Sequence, residues 1–267
     1  MKPQRYPSDL TRTQWKRLKR LLPPAKPGGR PRSVQLREIL NGIFYITRGG
    51  CAWRMMPKDL PPWSTCYDYF RKWRHDGTWA RIHDALRTQI RHRHQRHQSP
   101  SMGIIDSQSV KTTEQGGPRG KDAHKMVSGR KRHLIVDTLG LILAVVVHAA
   151  DIQDRDGARL VLETLRHRFM RLRTIVADAI YNGGIDEWVY SLRPRDKLRL
   201  KVMTKKPGAK TFEVIPFRWR VERTFAWLGR SRRLSKDYEE TTASSEAFVK
   251  LAMIHLMARR LVKKLAF

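Results

Sequence analysis

Residues 132–178 read RHLIVDTLGLILAVVVHAADIQDRDGARLVLETLRHRFMRLRTIVAD, and this stretch decides the fold. HLIVD and LILAVVV are apolar runs of strand length separated by Thr138-Leu139-Gly140, so Arg132–Val147 is expected to form a hairpin. Asp156–Phe169 follows with helical spacing, and Leu160, Leu162 and Leu165 are available for a core. Asp156 reads as that helix's cap, with Asp151 and Asp154 as loop carboxylates and Asp137 inside the hairpin. TIVAD, Thr174–Asp178, is a short buried strand. Hairpin, helix and strand in this order belong to a mixed sheet covered by helices.

The pattern extends both ways. Upstream, Met102–Val110 holds GIIDSQSV, another strand with an apolar start. Downstream come a helix over Ile185–Leu192, a strand over Leu198–Met203 and amphipathic helices over Trp219–Leu228 and Ser245–Lys264. Ahead of residue 95 the chain reads as helix only. Ser8-Asp9 offers a cap for Thr11–Leu22, which Pro23-Pro24 ends; Val34–Thr47, Cys66–Trp73 and Trp79–Ile90 follow. Short helices joined by tight turns suggest a helix-turn-helix-like module. The polar run IRHRHQRHQSPS, Ile90–Ser101, separates the two patterns. The expected organisation is a small all-α domain over residues 1–98 and an α/β domain over residues 99–267.

Charge narrows the partners. The 267 residues include 55 Lys and Arg against 24 Asp and Glu, a net +31. Residues 1–100 contribute +16 and residues 101–267 contribute +15, so both halves are built to lie on a polyanion. Nucleic acid is the default partner. The two cysteines, Cys51 and Cys66, form neither a disulfide framework nor a four-cysteine zinc site, and read as buried thiols in a reducing cytosol. MKPQRYPSDL lacks a signal peptide's apolar stretch, and Leu141–Val147 is too short to span a bilayer. With no G-x-x-x-x-G-K-[ST] loop there is no signal for an organic cofactor, and no membrane partner is expected.

Three acids carry the chemistry. Ile104-Ile105 run into Asp106, and Ile175-Val176-Ala177 run into Asp178. A carboxylate beside a core is costly unless compensated, and a hard cation compensates it well. A turn-capping role would also explain either Asp taken alone. Glu222 sits at the edge of the stripe Val221, Phe225 and Leu228, with Arg218 one turn earlier. Three carboxylates suit two Mg²⁺ ions, with Mn²⁺ as a substitute, and two-metal phosphodiester chemistry. Lys16, Lys19, Arg30, Arg32, Arg71, Lys72, Lys125, Arg130, Lys131, Arg132, Arg218, Arg223 and Arg230 are candidate DNA contacts. His92, His94 and His97, interleaved with Arg91, Arg93 and Arg96, read as a solvated linker touching phosphate rather than a zinc site. Trp53, Trp63, Trp73 and Trp79 read as core anchors.

IIDSQSVKTT, GRKRHLIVDTLGLILAVVVHAAD, IVADAIYNG and RWRVERTFAWLGRSRRLSKDYE strongly resemble bacterial insertion-sequence transposases of the DDE superfamily, above all those grouped with insertion sequence five. GIFYITRGGCAWRMMPKDLPPWSTCYDYFRKW is similar to that family's leading domain. The resemblance implies an RNase H-like catalytic domain that cleaves at the ends of a mobile element and joins the freed 3′-hydroxyl to target DNA. It implies Asp106, Asp178 and Glu222 as the metal-binding triad, 72 and 44 residues apart. It also implies double-stranded DNA as partner, a homodimer holding two ends, and work in the bacterial cytoplasm at the nucleoid. Arg218 fits the family's Arg four residues before the Glu, whereas Gly229 stands where a Lys is expected, with Arg230 beside it. The apolar Ala179-Ile180 turn after Asp178 is a further departure and motivates an alternative, a decayed copy that binds DNA as a repressor. A nuclease of the same fold that joins no strands is a third reading.

Overall fold

A computed structural model describes residues 5–25, 27, 28, 31–203 and 217–263. The chain divides into two compact units, one of residues 1–90, 230–235 and 247–267, the other of residues 91–229 and 236–246.

The first unit is helical. α1 (Arg12–Lys19) starts at Thr11, whose hydroxyl accepts the Gln14 N–H while the Gln14 side chain accepts the Thr11 N–H. The expected cap at Ser8-Asp9 is therefore displaced to Thr11. Asp9 is buried instead, accepting the Arg5 and Tyr6 N–H groups. α2 (Leu36–Gly49) ends at Gly50 with φ 78°, a left-handed stop that favours glycine. α3 (Trp63–His75) and α4 (Thr78–Arg93) follow. Phe70 stacks on Phe248, Phe44 on His255, and Trp73 meets Trp79 edge-on with centroids 5.0 Å apart. Phe248 and His255 come from α8 (Thr242–Arg260). That aromatic core is why residues 247–267, read from sequence as the end of the second domain, belong to the first unit. Trp73 and Trp79 are buried anchors, while Trp53 and Trp63 are half-buried. Burial pushes the Cys66 thiol up to about 12.

The second unit holds a six-stranded mixed sheet. β1 (Met102–Lys111), β3 (Val127–Val136) and β4 (Ile142–Ala149) form an antiparallel meander. β5 (Thr174–Asp178) pairs parallel with β1, and β6 (Arg199–Met203) pairs parallel with β5. The short β2 (Gly120–Asp122), which the sequence pattern did not suggest, pairs with the first residues of β3. α5 (Asp154–Glu163) and α6 (Ile185–Leu192) connect the parallel strands, as right-handed crossovers must. Ile105, Ile135, Ala144, Val161, Leu162, Leu165, Ile175 and Ala177 form one core with them. α7 (Trp219–Gly229) packs on β1 and β3.

Several expectations shift. α5 is shorter than Asp156–Phe169, and Gln153 precedes it in extended conformation, so Asp156 lies inside its first turn rather than capping it. Leu160 points outward and Val161 takes its place in the core. Asp154 is buried rather than a loop carboxylate. Arg91 leaves the expected solvated run: it is buried and ion-paired with Asp137 at the hairpin turn, whereas His92, His94 and His97 are exposed. Among the described residues no helix is long and apolar enough to cross a membrane.

Candidate active site

Strand register brings the two aspartates together. β1 and β5 run parallel with Ile104 opposite Val176, and each strand reaches its Asp two residues later. Ile105, Ile175 and Ala177 fill the core beneath α5 and α6, so alternation sends Ile104, Val176, Asp106 and Asp178 to the opposite face. Adjacent strands lie about 4.8 Å apart. Burial pushes the Asp106 carboxyl up to about 6, and the Asp178 charge pushes the same way. The Ser107 N–H, 2.7 Å away, and the cations of Arg218 and Lys125 act against them. Asp178 also accepts the Ile180 N–H at 3.1 Å, so it does cap the turn that follows.

α7 delivers Glu222. Its placement rests on the hairpin turn at residues 138–140. The Thr224 hydroxyl donates to Gly140 O at 2.8 Å, Arg220 donates to Thr138 O, and Arg223 donates to Leu139 O at 3.3 Å. Gly140 has φ 77°, and a Cβ there would meet Thr224 Oγ1 and the Trp227 ring at 3.0 Å. Only glycine lets the helix come this close. The buried stripe of α7 is Val221, Thr224 and Leu228, with Phe225 only half-buried. The polar Thr224 was missed because an apolar count passes over it.

Glu222 is 55% exposed. Arg218 Nε lies 3.2 Å from Glu222 Oε1, and Arg218 Nη2 lies 3.4 Å from Asp178 Oδ2. One guanidinium therefore ties the second aspartate to the glutamate, beside the first aspartate. Among the described residues no three acid, His or Cys side chains stand close enough to hold a metal ion. The donor set is nonetheless all carboxylate, three acids with Arg218 and Lys125 as the cations that act on them. Such an oxygen-only set fits a hard divalent cation.

The other face of β1 carries a network that sequence reading missed. Ser107 Oγ donates to Asp154 Oδ1 at 2.6 Å. Lys131 Nζ lies 3.5 Å from both Asp154 and Asp122 and donates to Ile152 O. The Ser109 hydroxyl donates to Asp122. His133 stacks on His148, with their ring nitrogens 2.8 Å apart. Burial holds His133 neutral, and the Lys131 and His148 neighbours favour that state. The signal was present as alternation: Ser107 and Ser109 pair with His133 and Lys131 in the sheet register. Tyr181 is buried beside Ser107, and burial together with the Asp106, Asp154 and Asp178 charges raises its hydroxyl well above its ordinary value.

The candidate DNA contacts sort by burial. Lys16, Lys19, Arg71, Lys72, Lys125 and Arg230 are exposed. Arg32 is half-buried and donates to Pro24 O, and Arg30 lies outside the described residues. Arg223 is held between Trp219 and Trp227, 4.3 and 4.7 Å from their ring centroids. Three expectations are corrected. Arg130 is fully buried, donating to Pro118 O, Glu239 O and Glu240 O and pairing with Asp237. Arg132 is buried and donates to Lys236 O. Lys131 is buried in the network above. Their charges are spent on carbonyls and carboxylates inside the protein and are not offered to phosphate.

A three-stranded meander continued by two parallel strands, with helices on its faces, is an RNase H-like domain. Residues 97–257 match the family described as "Transposase DDE domain", and residues 10–83 match "Putative transposase of IS4/5 family". The chain belongs to the DDE transposases of insertion sequences. It is 30% identical over 113 residues, 40% of this chain and 76% of the relative, to "Insertion element IS402 uncharacterized 16.2 kDa protein" of Burkholderia cepacia. It is 28% identical over 142 residues, 51% of this chain and 64% of the relative, to "Putative transposase for insertion sequence element IS402" of the same organism. No solved structure matches.

Proposed function

We propose that this transposase binds the terminal repeats of its element as duplex DNA, hydrolyses the phosphodiester at each end and joins the freed 3′-hydroxyls to target DNA. The observation that carries the reading is the pair of neighbouring strand ends that bear Asp106 and Asp178, with Arg218 bridging Asp178 to Glu222. In the first step water attacks phosphorus and the element's 3′-oxygen leaves with a proton. In the second that 3′-hydroxyl attacks a target phosphodiester and displaces the target's own 3′-oxygen. Each step exchanges one ester bond for another or for a phosphate, so no nucleotide cofactor is needed.

Asp106, Asp178 and Glu222 would hold the divalent ions, Mg²⁺ or Mn²⁺, which supply a lowered pKa for the attacking oxygen and charge stabilisation for the leaving one. The strand ends would carry the two aspartates, and α7, seated on the hairpin turn, would supply Glu222 from the far side of Arg218. Arg218 orients Asp178 and Glu222 and offers a cation to a phosphate oxygen. Exposed bases on both units, Lys16, Lys19, Arg71, Lys72 and Arg230 on the first and Lys125 on the second, supply backbone contacts. Two ends must be held together for joining, which calls for a homodimer in the working complex.

The test incubates the full chain with a labelled duplex carrying the element's terminal repeats, in Mg²⁺, in EDTA, and with Asp106→Asn. Cleavage at the repeat boundary that needs both Mg²⁺ and Asp106 supports the reading. Tight binding without cleavage in Mg²⁺ or Mn²⁺ would leave a DNA-binding repressor, in keeping with the exposed Ile180 after Asp178. Cleavage without a joined product would leave a nuclease.

A further inference from the structure

Beyond Lys111 the chain that carries Asp106 is captured by a second segment. Thr112 pairs with Asp237, Asp237 N–H donates to Lys111 O at 2.8 Å, and Thr113 N–H donates to Asp237 O at 3.3 Å. The fully buried Arg130 lies under both segments. Its guanidinium bonds Pro118 O on one side and Glu239 O and Glu240 O on the other, each at 2.7 Å. A Cβ on Gly117, φ 79°, would fall 1.9 Å from Glu240 O, so the two loops touch. Arg132 adds a bond to Lys236 O at 3.0 Å. Two buried arginines thus set the shape of this part of the surface before any ligand arrives.

The shape is a cleft of about 490 Å³ lined by Thr112, Thr113, Glu114, Gln115, Arg119 and Lys236. Arg119 and Lys236 are exposed, and neither forms an ion pair among the described residues. Their two charges outnumber that of Glu114. The polar lining, Thr112, Thr113 and Gln115, can donate hydrogen bonds to phosphate oxygens. An open, polar, net-positive cleft whose walls are held by buried girders matches a phosphodiester backbone, not an apolar or cationic ligand.

We propose that this cleft is a DNA-backbone site, with Arg119 and Lys236 each neutralising a phosphate of the duplex that the acids cut; it rests on the DNA-cleaving reading above. Thr112 is six residues along the strand from Asp106, roughly 20 Å at strand rise. At 3.4 Å per base pair the contacted phosphates fall about six base pairs from the cleaved bond.

The experiment compares the full chain with the double variant Arg119→Ala/Lys236→Ala on the terminal-repeat duplex, with EDTA present so that cleavage plays no part. Binding is titrated from 50 to 200 mM KCl. Each lost phosphate contact lowers the slope of log affinity against log salt by about 0.9. The wild type should therefore lose about tenfold more affinity than the variant over that range. Phosphate-ethylation interference should show wild-type contacts about six base pairs from the cut that the variant lacks. Arg171→Ala/Arg195→Ala, which removes two exposed bases elsewhere on the same unit, should leave those contacts in place. Unchanged slope and unchanged interference in a normally melting double variant overturn the proposal. So does an equal slope change in the Arg171/Arg195 control with no local loss of interference. A wild type that binds but never cleaves, with the slope and interference shifts intact, refutes the catalytic reading and keeps the cleft.

Discussion

The two faces of β1 put neighbouring residues to opposite uses. On the face toward α5, Ser107 and Ser109 join a closed set in which Asp154 and Asp122 share Lys131, and His133 and His148 share a hydrogen bond. On the other face Asp106 stands with Asp178 and an exposed Glu222, and Arg218 is the nearest cation to the latter two. With Lys125 also donating to Ser107 Oγ and acting on Asp122, one face matches two acids with two bases. The other leaves acid in excess at the surface. Buried polar groups persist when their partners are complete, and a surplus of one sign at an opening marks a place for an outside charge. One strand therefore separates what stabilises the domain from what it does.

The largest effect expected is on the open face. Asp106→Ala, Asp178→Ala and Glu222→Ala should each lower terminal-repeat cleavage by at least about a thousandfold, some 4 kcal/mol in barrier, while the melting temperature stays within a few degrees of wild type. Loss of cleavage together with collapse of the fold would mean these acids are structural. Asp154→Ala on the closed face should reverse the pattern. It leaves the buried Ser107 hydroxyl without its acceptor and Lys131 with Asp122 and Ile152 O alone, and should cost about 1–3 kcal/mol in urea unfolding. Gly157→Ala should be similarly severe. Its Cβ would lie 2.4 Å from the His133 ring and 2.5 Å from that of His148, and a stacked buried pair has nowhere to move.

The open face was the legible one, because acids that end apolar runs violate the pattern around them. Asp106 and Asp178 stood out that way, whereas Glu222 was read from the edge of a helical stripe and Arg218 from the turn before it. The hairpin, α6 and β5 were also readable, since periodicity and turn chemistry agreed there. The closed face was not, because the alternation of Ser107 with Ser109 and of Lys131 with His133 acquires meaning only once the strands are paired, and Asp154 carries no spacing signature. Their meaning comes from the register that sets Ser107 against His133 and from the helix that brings Asp154 over both. Arg130 and Arg132 misled for the same reason. In a chain of net +31 a basic cluster reads as a phosphate site, and only strand order shows these two turned into carbonyl-lined loops. The place of residues 247–267 in the first unit is likewise tertiary, resting on Phe248 and His255 meeting Phe70 and Phe44.

A smaller effect links the open face to stability. The folded-state pKa of Asp106, about 6, exceeds its ordinary 3.8, so the fold favours the neutral carboxyl. Stability from this group is full below pH 3.8 and is lost as pH rises through 6. At pH 7.5 Asp106→Asn should therefore stabilise the protein by about 1–2 kcal/mol while abolishing cleavage, and the gain should vanish near pH 3.5. Mg²⁺ should raise the melting temperature of the wild type and leave that of Asp106→Asn nearly unchanged. A variant no more stable than wild type at pH 7.5 would mean the carboxylate is already compensated, and the contrast between the faces would fail.

The closed face has the opposite pH signature. His148 Nδ1 lies 2.7 Å from Ala149 O and so carries its proton there, leaving Nε2 to accept from His133 Nδ1. Protonating His148 at Nε2 would set two N–H groups head to head. Burial lowers the pKa of both rings, as it does for His83 and His255 in the first unit. Their neutral forms cost nothing at pH 7.5. Below about 6.5 the unfolded chain takes up protons that the folded one refuses, so stability falls with acid, by up to about 1.4 kcal/mol per pH unit for each ring. The measurement belongs in Asp106→Asn, where the carboxyl that moves the other way is absent. Urea midpoints should drop between pH 7 and pH 5 by an amount equivalent to at least about 2 kcal/mol, the share of one ring that stays neutral, and His148→Gln should reduce the pH-dependent part of that drop. A flat profile would mean that the stacked pair carries a proton in the folded state, and that the face read as balanced at neutral charge holds a cation of its own.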